Sequence, residues 1–314
     1  MTIQTQKIDD ILPLELAEKM EDLSKRVGFS YGWYSNPTSG IPHWNHDFGR
    51  MISSNGLDIS STLAPELQET WTHLKNTYQP DMNLIRCYIN QHTYGTEGYP
   101  HIDGFRKDSG SFVIYLNRDW TPDMAGETII FDGDDVELAS LPKFNRGVVF
   151  PGNKLHAARA VSRKCNTVRV TLMFKFAKPD IYRDNIQRFL NMVGAEKKSH
   201  SGRTLSDHLL GTYDLLKAAN MKQDICNAGG VHSIFGTQSY RDVTVPLSEK
   251  NRLIAVVGQK AADLAEMFSK IKRWNSPLHS DDFKELGVIQ LANLKEQNAL
   301  RDPKLDGLWN DLNK

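Results

Sequence analysis

Cysteine is scarce in this chain of 314 residues, and long apolar runs are missing from it. The three cysteines, Cys87, Cys165 and Cys226, include no CxxC pair, which argues against a disulfide framework and a thiolate zinc site and favours a reducing compartment. The N-terminus has no basic start followed by an apolar run, and no later stretch approaches the length of a membrane span. These absences predict a soluble, cytoplasmic protein without a membrane anchor.

An excess of charge of one sign is also missing. Lysine plus arginine and aspartate plus glutamate both number 38, so the formal net charge is zero. A protein without an excess of positive charge gives no electrostatic indication of nucleic-acid binding, so we expect no nucleic-acid partner. The length favours two domains, each large enough to bury its own core.

The first part of the chain reads as two helices followed by a series of short strands. Apolar spacing predicts helices over Leu14–Val27 and about Ala64–Tyr78, with a Gly- and Pro-rich loop from Phe29 to about Ser61 between them. Short β-segments separated by Asn, Asp, Gly and Pro turns are typical of a sandwich or barrel. The predicted strands are Leu84–Ile89, Gly110–Leu116, Glu127–Phe131, Val136–Ala139, Arg146–Phe150 and Val168–Phe176.

Helical periodicities replace the strand pattern after about Asp180. They run through Leu205–Leu216, Leu253–Phe268 and a more polar segment, Leu286–Leu300. The predicted fold class is therefore α+β, with a β-rich domain with flanking helices over residues 1–180, a linker over 181–200 and a mostly α-helical domain over 201–314.

Two possible metal ligands lie two residues apart in Tyr99-Pro100-His101-Ile102-Asp103. On a strand, residues i and i+2 project to the same face. His156, in a turn before a later strand, supplies a third ligand and completes a two-histidine, one-carboxylate set. Such a set leaves three positions of an octahedral iron open, as non-haem Fe(II) oxygenases require. An isolated HxD is common by chance, so this prediction depends on the strand-rich surroundings of the pair.

Arg169 begins the last predicted strand segment, Arg169-Val170-Thr171-Leu172-Met173-Phe174. A guanidinium on an otherwise apolar, inward-facing strand needs an anionic partner, because an unpaired buried charge is costly. A carboxylate can satisfy it through two parallel hydrogen bonds. The distal carboxylate of 2-oxoglutarate is the partner that we expect; a surface arginine on an edge strand is the alternative.

Residues Ile85–Phe176 resemble the catalytic core of prolyl hydroxylases, of both the hypoxia-sensing and the collagen-modifying types. The resemblance is carried by Cys87-Tyr88, His101 and Asp103, Tyr115–Trp120, Gly126-Glu127-Thr128, Pro142–Arg146, His156 and Arg169. It implies a double-stranded β-helix, or jelly roll, that uses Fe(II), 2-oxoglutarate and O2 and hydroxylates its substrate. It also implies that Tyr115 hydrogen-bonds the distal carboxylate of 2-oxoglutarate and that Tyr88 lines the co-substrate pocket. Arg169 follows His156 by thirteen residues, which predicts a longer turn over Ser162–Thr167 than the family usually has.

The aromatic residues of the predicted first loop are the candidates for substrate recognition. Trp33, Tyr34, His43, Trp44 and His46 all lie within Tyr31–Asp47, and loops with such side chains often form recognition surfaces. They could equally cover the open side of the jelly roll. A resemblance to prolyl hydroxylases does not identify proline as the substrate, because one fold supports many reactions. Small molecules, free amino acids and peptidyl residues all stay open.

Residues His200–Phe268 resemble a diverged member of the HD metal-dependent phosphohydrolases. The resemblance lies in His208–Thr212, in Ile225–Ser233 and in the helix around Val257–Phe268. The family's His-Asp dipeptide is His232-Ser233 here, and a hydroxyl brings neither the charge nor the second oxygen of a bridging carboxylate. His200, His208 and His232 could gather around a metal or an anion, or they could be hydrogen-bonded core residues.

Three hypotheses follow for the whole chain. The first is an oxygenase with an accessory helical domain that could mediate homodimerisation. The second is a non-enzymatic metal-binding module of cupin type, against which Arg169 and Tyr115 argue. The third is a two-step enzyme in which the helical domain processes the oxidised product, against which Ser233 argues.

Overall fold

The computed structural model describes residues 3–35, 41–50, 58–200, 202–271, 284–299 and 303–312. The chain divides into two compact units, Met1–Pro179 and Asp180–Lys314. The first contains all the longer strands, whereas the second is mostly helical, so the predicted α+β class is confirmed. None of the described helices is long and apolar enough to cross a membrane.

The first unit is built from two antiparallel sheets. The larger sheet has seven strands in the order β1-β9-β6-β11-β4-β3-β2, and the smaller has four in the order β5-β10-β7-β8. The strands are β1 (Gln6–Ile8), β2 (Ser30–Trp33), β3 (His43–Arg50), β4 (Asn83–His92), β5 (Gly98–His101), β6 (Ser109–Tyr115), β7 (Thr128–Asp132), β8 (Asp135–Ser140), β9 (Gly147–Pro151), β10 (His156–Ala158) and β11 (Arg169–Ala177). All six predicted strands are present, each within a few residues of its expected bounds.

The central strands of the larger sheet alternate between two environments. On β11, Leu172 and Phe174 belong to a core that also includes residues of two helices, α1 (Leu14–Arg26) and α2 (Pro65–Tyr78). The intervening Met173 belongs to a second cluster, with Tyr88 and Phe150. This alternation is the strand period of two. It leaves one face of the large sheet for the helices and the other for the site.

The two helices of this unit begin and end within one residue of their expected positions. Proline marks both starts, with Pro13 at the N-cap of α1 and Pro65 in the first turn of α2. Each helix buries one apolar face, represented by Met20 of α1 and Trp71 of α2, while its charged residues face solvent.

The prediction of a loop over Phe29–Ser61 is wrong for much of this segment. Strands β2 and β3 lie within it, and β3 pairs along β4 from Trp44 opposite Gln91 to Arg50 opposite Arg86. The alternation of apolar and polar residues is weak in these strands, since aromatic and histidine side chains replace aliphatic ones. Residues 36–40 and 51–57 of this segment lie outside the described residues.

The second unit is formed by a set of helices and one very short β-pair. The helices are α3 (Ile181–Met192), α4 (Leu205–Ala218), α5 (Gln223–Gly229), α6 (Lys250–Val257), α7 (Gln259–Lys270), α8 (Lys284–Glu296) and α9 (Pro303–Leu312). The pair is β12 (Ser199–His200) with β13 (Arg203–Thr204). Leu209 and Leu216 of α4 are fully buried, as their helical spacing predicts.

The segment 181–200, expected as a linker, is instead largely helix α3. The carboxylate of Asp180 caps this helix by accepting from the backbone N–H groups of Tyr182 and Arg183. Ile186 is fully buried, and the guanidinium of Arg183 pairs with Asp214 of α4, with an Nε–Oδ1 distance of 2.7 Å. The charged residues of the segment obscured its apolar face in the sequence.

Candidate metal centre

Three ligand atoms converge where the small sheet begins. His156 opens β10 and is paired in register with His101 at the end of β5, so the two imidazoles are cross-strand neighbours. Asp103 follows just beyond β5, and its N–H donates to the carbonyl oxygen of Gly152 at 2.9 Å. Ligand atoms of the three side chains all lie within 4.8 Å of one another. The structure thus brings the three predicted ligands together.

The backbone orients both imidazoles toward the same point. Nδ1 of His101 lies 2.7 Å from the carbonyl oxygen of Tyr99, and Nδ1 of His156 lies 3.0 Å from that of Lys154. A carbonyl oxygen can only accept, so each Nδ1 carries the proton and each Nε2 presents its lone pair. Those Nε2 atoms lie 3.7 and 3.6 Å from Oδ1 of Asp103.

The charge states of these groups also suit a divalent metal. Burial lowers the pKa of His156 to about 4, which keeps this imidazole neutral at neutral pH. Burial opposes the charge on Asp103, but the ammonium group of Lys175 and the two neighbouring histidines together hold the carboxyl pKa well below its usual value. Two histidines and one ionised carboxylate form the donor set that suits non-haem Fe(II).

Arg169 lies in the same cavity as the two histidines. It is 1% exposed, and its guanidinium donates to the carbonyl oxygen of Gly126 at 2.7 Å, to Oγ1 of Thr128 at 2.9 Å and to Nδ1 of His92 at 3.3 Å. All three partners are neutral, and no ion pair of Arg169 occurs within the described part of the chain. Burial accordingly lowers the pKa of Arg169. A buried cation without a counter-ion marks a place for an anionic ligand.

Of the two tyrosines expected near the co-substrate, one lines the cavity and the other lies behind it. Tyr88 is one of the cavity-lining residues. Tyr115 is fully buried behind the cavity, with its hydroxyl 2.8 Å from the carbonyl oxygen of Ser140 and 2.6 Å from Oγ1 of Thr128. Thr128 Oγ1 accepts from both the Tyr115 hydroxyl and the guanidinium of Arg169, and Cζ of Arg169 also lies 5.3 Å from the centroid of the Tyr115 ring.

Several residues of the site were missed by sequence reasoning. Thr128 and His92 contact Arg169, while Ser111 donates to Oδ2 of Asp103 at 2.5 Å and Lys175 lies 2.5 Å from Oδ1. Lys175 could have been found, because it lies six residues after Arg169 on the same strand and therefore on the same face. The others come from neighbouring strands and carry no local signal.

The predicted aromatic loop residues lie on or beside β2 and β3. The Trp33 ring packs against the guanidinium of Arg86, whose Cζ lies 4.3 Å from the ring centroid. Tyr31 and Trp44 pack on each other with their ring centroids 5.0 Å apart, and both keep a third or more of their surface exposed. Tyr34 is also exposed, whereas His43 is fully buried and packs at a tilt against His92, with the ring centroids 4.6 Å apart.

The helical unit brings its three histidines together by itself. The rings of His200 and His208 stack 4.1 Å apart, and Nε2 of His208 lies 3.3 Å from Nε2 of His232. His232 donates from Nδ1 to the carbonyl oxygen of Gly229 at 2.7 Å, so its Nε2 accepts from His208. Nδ1 of His208 in turn contacts the Glu296 carboxyl group at 2.5 Å. Burial lowers the pKa of His208 and of His232 to about 3 and raises that of Glu296 to about 7.

This cluster differs in character from the triad of the first unit. A second pairing joins Glu296 to Arg203, and the Ser233 hydroxyl is buried with no hydrogen-bond partner among the described residues. Of the residues that the structure describes, His101, Asp103 and His156 form the one group of three His, Cys, Asp or Glu side chains whose ligand atoms converge. The helical histidines are therefore held mainly by one another and by Glu296.

Comparison with known proteins identifies the class of the first unit. Residues 86–176, which contain the triad and Arg169, match the model of the 2OG-Fe(II) oxygenase superfamily. The chain thus carries a 2OG-Fe(II) oxygenase domain and is a 2-oxoglutarate-dependent dioxygenase with Fe(II) and 2-oxoglutarate as its cofactors.

The helical region matches a different family. Residues 189–273 match a domain of unknown function, DUF6817. The HD-like resemblance is not confirmed by this match and stays a prediction. No curated protein matches the chain.

Solved structures similar to the chain include several oxygenases. A prolyl-4-hydroxylase from Pseudomonas putida is 19% identical, with a TM-score of 0.41 over 57% of this chain and 95% of that one. A prolyl hydroxylase from Trichoplax adhaerens, in complex with a hypoxia inducible factor peptide fragment, is 16% identical, with a TM-score of 0.41 over 59% and 86%. HygX from Streptomyces hygroscopicus, with nickel and 2-oxoglutarate bound, is 9% identical, with a TM-score of 0.41 over 56% and 83%.

Proposed function

We propose that His101, Asp103 and His156 hold the Fe(II) of this dioxygenase and that Arg169 binds the distal carboxylate of 2-oxoglutarate. The reaction is the oxidation of an unactivated C–H bond, with hydroxylation as the expected outcome and with succinate and CO2 as by-products. The observation that carries the proposal is one cavity that contains both imidazoles of the triad and a buried guanidinium to which the described residues offer no carboxylate partner.

The bound Fe(II) and 2-oxoglutarate supply the oxygen chemistry, and the protein supplies position and charge. His101 and His156 hold their Nε2 lone pairs ready because backbone carbonyls fix each Nδ1 proton. Ser111 fixes Oδ2 of Asp103, which leaves Oδ1 facing the imidazoles. Because these hydrogen bonds are part of the fold, the two imidazoles need little reorientation to bind the metal.

Arg169 carries the positive charge needed to bind a carboxylate, and none of its hydrogen-bond partners among the described residues is an anion. Thr128 and His92 hold its two terminal nitrogens, and both are neutral partners that an incoming anion can supplement. We assign Tyr115 to this subsite through its contact with Thr128, and Tyr88 to the wall of the pocket. A low-dielectric surrounding strengthens the attraction between the guanidinium and the carboxylate.

The substrate class includes amino acids, peptidyl residues and small biosynthetic metabolites. The exposed rings of Tyr31, Tyr34 and Trp44 support a recognition surface on β2 and β3. Asp103 supports hydroxylation over halogenation, since related halogenases have a small residue at this position. Cytoplasmic action belongs to the same proposal, supported by the free thiols of Cys87, Cys165 and Cys226.

We propose an accessory role for the helical domain, such as substrate capture or homodimerisation. A second catalytic step is not favoured, because the Ser233 hydroxyl occupies the position where the HD-like family has a metal-bridging carboxylate. The hydrogen-bonded histidines of this unit support a stabilising role for His208 and His232.

The first test of the proposed function is turnover of 2-oxoglutarate. We expect the protein to release succinate in the presence of Fe(II), O2 and candidate amino-acid or metabolite substrates. His156→Ala should reduce this rate by more than about 100-fold, because loss of a ligand should exceed the effect usual for an outer-shell change. The matched control is His73→Ala, since His73 bonds the carbonyl oxygen of Ile11. Equal succinate release by the wild type and His156→Ala would contradict the proposal.

A further inference from the structure

Lys175 forms an ion pair with the carboxylate oxygen of Asp103 that faces the two imidazoles. Strand β11 places Lys175 on the same side as Arg169 and Met173, and its ammonium nitrogen lies 2.5 Å from Oδ1 of Asp103. The Nε2 atoms of His101 and His156 lie 3.7 and 3.6 Å from the same oxygen. A metal ion bound by the triad would therefore have to share this oxygen with an ammonium group or displace it.

Asp103 is the counter-ion on which Lys175 depends. Lys175 is paired in register with Arg86 on β4, so two cations are directly opposite each other across the sheet. Arg86 already has its own carboxylate, Asp47, at 2.8 Å. Within the described residues, Asp103 is the one carboxylate that forms an ion pair with Lys175. Like charges that face each other across a sheet are destabilising, so weakening of the Lys175–Asp103 pair has an electrostatic cost.

The formal charges of the site affect whether it binds a metal ion alone or together with an anionic co-substrate. Asp103 carries one negative charge, Lys175 and Arg169 carry one positive charge each, and the described cavity wall contains no other Asp, Glu, Lys or Arg, with histidine counted as neutral. The site therefore has a net charge of +1. A divalent metal alone raises this to +3, whereas the metal together with the dianion 2-oxoglutarate leaves it at +1. In a buried site of low effective dielectric, the difference between these two states is large.

We propose that Lys175 couples the binding of the metal to the binding of 2-oxoglutarate, so that the site disfavours the metal alone and accepts metal and co-substrate as a pair. The proposal rests on the proposed function, because it needs the metal at the triad. Lys175 acts here through the charge that it places beside Asp103, as a positioning residue. An alternative role is that Lys175 merely holds Asp103 in the correct orientation. In that case, replacing Lys175 would weaken Co(II) binding, whereas the coupling role predicts tighter Co(II) binding.

The test is an anaerobic titration with Co(II), with and without saturating 2-oxoglutarate, followed by calorimetry. The variants are Lys175→Met and Lys175→Gln, the second of which retains an N–H donor for Asp103. Lys175→Arg retains the charge. Lys19→Met is the control, because Lys19 is an exposed lysine of α1 that pairs with Glu15. Thermal melting of each variant establishes that it is folded.

We expect both uncharged variants to bind Co(II) alone about tenfold more tightly than the wild type, a factor within the usual range of coupling between sites. The increase in Co(II) affinity that 2-oxoglutarate causes should shrink by a similar factor. Lys175→Arg and Lys19→Met should behave as the wild type does. Weaker or unchanged Co(II) binding in both uncharged variants would overturn the coupling role. Absence of Co(II) binding in the wild type as well as the variants would instead overturn the proposed metal centre itself.

Discussion

Arg169 is the buried residue on which the proposed carboxylate subsite depends. Its guanidinium has three neutral partners and no carboxylate among the described residues. Burial of a cation in this way is unfavourable in the free protein, and an anionic ligand removes the penalty. We therefore expect the affinity for an anionic ligand to be concentrated in this one side chain.

Removal of this charge gives a direct prediction. Arg169→Met should weaken 2-oxoglutarate binding by about 2–5 kcal/mol, because the ligand's carboxylate loses a buried, hydrogen-bonded partner. Metal binding should be retained, since Arg169 contacts none of the three triad residues. The measurement is an anaerobic calorimetric titration of 2-oxoglutarate into the Co(II)-loaded protein. Arg163→Met is the control, because Arg163 bonds the exposed Tyr94 hydroxyl. Unchanged 2-oxoglutarate affinity in Arg169→Met would assign the carboxylate to another residue.

The residues that bear the chemistry could be predicted in part from the sequence. His101 and Asp103 form a short motif, and a lone arginine at the start of an apolar strand is conspicuous. Thr128, His92 and Ser111 reach the site from other strands, so their roles depend on the pairing of strands that are distant in sequence. No local pattern marks a threonine that lies between a tyrosine and an arginine.

Strand β6 shows how packing at the element scale fixes the site. It lies between β9 and β11 in the larger sheet and carries Ser111 and Tyr115 on its cavity side. Gly110 of this strand is opposite Phe176 of β11. A Cβ at this position would come within 2.8 Å of the Phe150 carbonyl oxygen and 2.7 Å of the Phe176 ring. A side chain at this position would therefore force the Phe176 ring or the backbone of Phe150 to shift.

We predict that Gly110→Ala lowers the free energy of unfolding by about 1–3 kcal/mol, the usual effect of adding a methyl group to a well-packed core. The measurement is chemical denaturation followed by circular dichroism. Gly28→Ala is the matched control, because a Cβ at Gly28 meets no atom within 4 Å. If both variants had the stability of the wild type, the tight packing of β6 against Phe150 and Phe176 would be contradicted.

Helices and strands were predicted correctly where the spacing of apolar residues is regular. Helices α1 and α2 and the six apolar strands have regular patterns, and their bounds were predicted closely. Strands β2 and β3 depend on pairing with β4, and their aromatic residues resemble a recognition loop in the sequence. Helix α3 has a polar appearance, although Ile186 and Leu190 bury one of its faces.

At the scale of the whole molecule, the two units have different chemistry. The first contains three convergent candidate metal ligands beside a cation that forms no ion pair among the described residues, whereas the second contains histidines that bond each other and a carboxyl group. The family matches divide the chain in a similar way, at residues 86–176 and 189–273. The central claim is that the metal belongs to the triad of the first unit.

The number of metal ions bound per chain tests this claim most directly. The full chain is equilibrated anaerobically with Co(II) and saturating 2-oxoglutarate, dialysed against 2-oxoglutarate and analysed for metal, as the wild type and as Asp103→Asn, Asp108→Asn and His232→Gln. The account predicts one ion per chain in the wild type, Asp108→Asn and His232→Gln, and none in Asp103→Asn, because a neutral amide is a poor replacement for the carboxylate ligand. Asp108 is the control, since this exposed carboxylate pairs with Arg106. Retention of the metal by Asp103→Asn together with its loss from His232→Gln would place the metal in the helical unit and contradict the account.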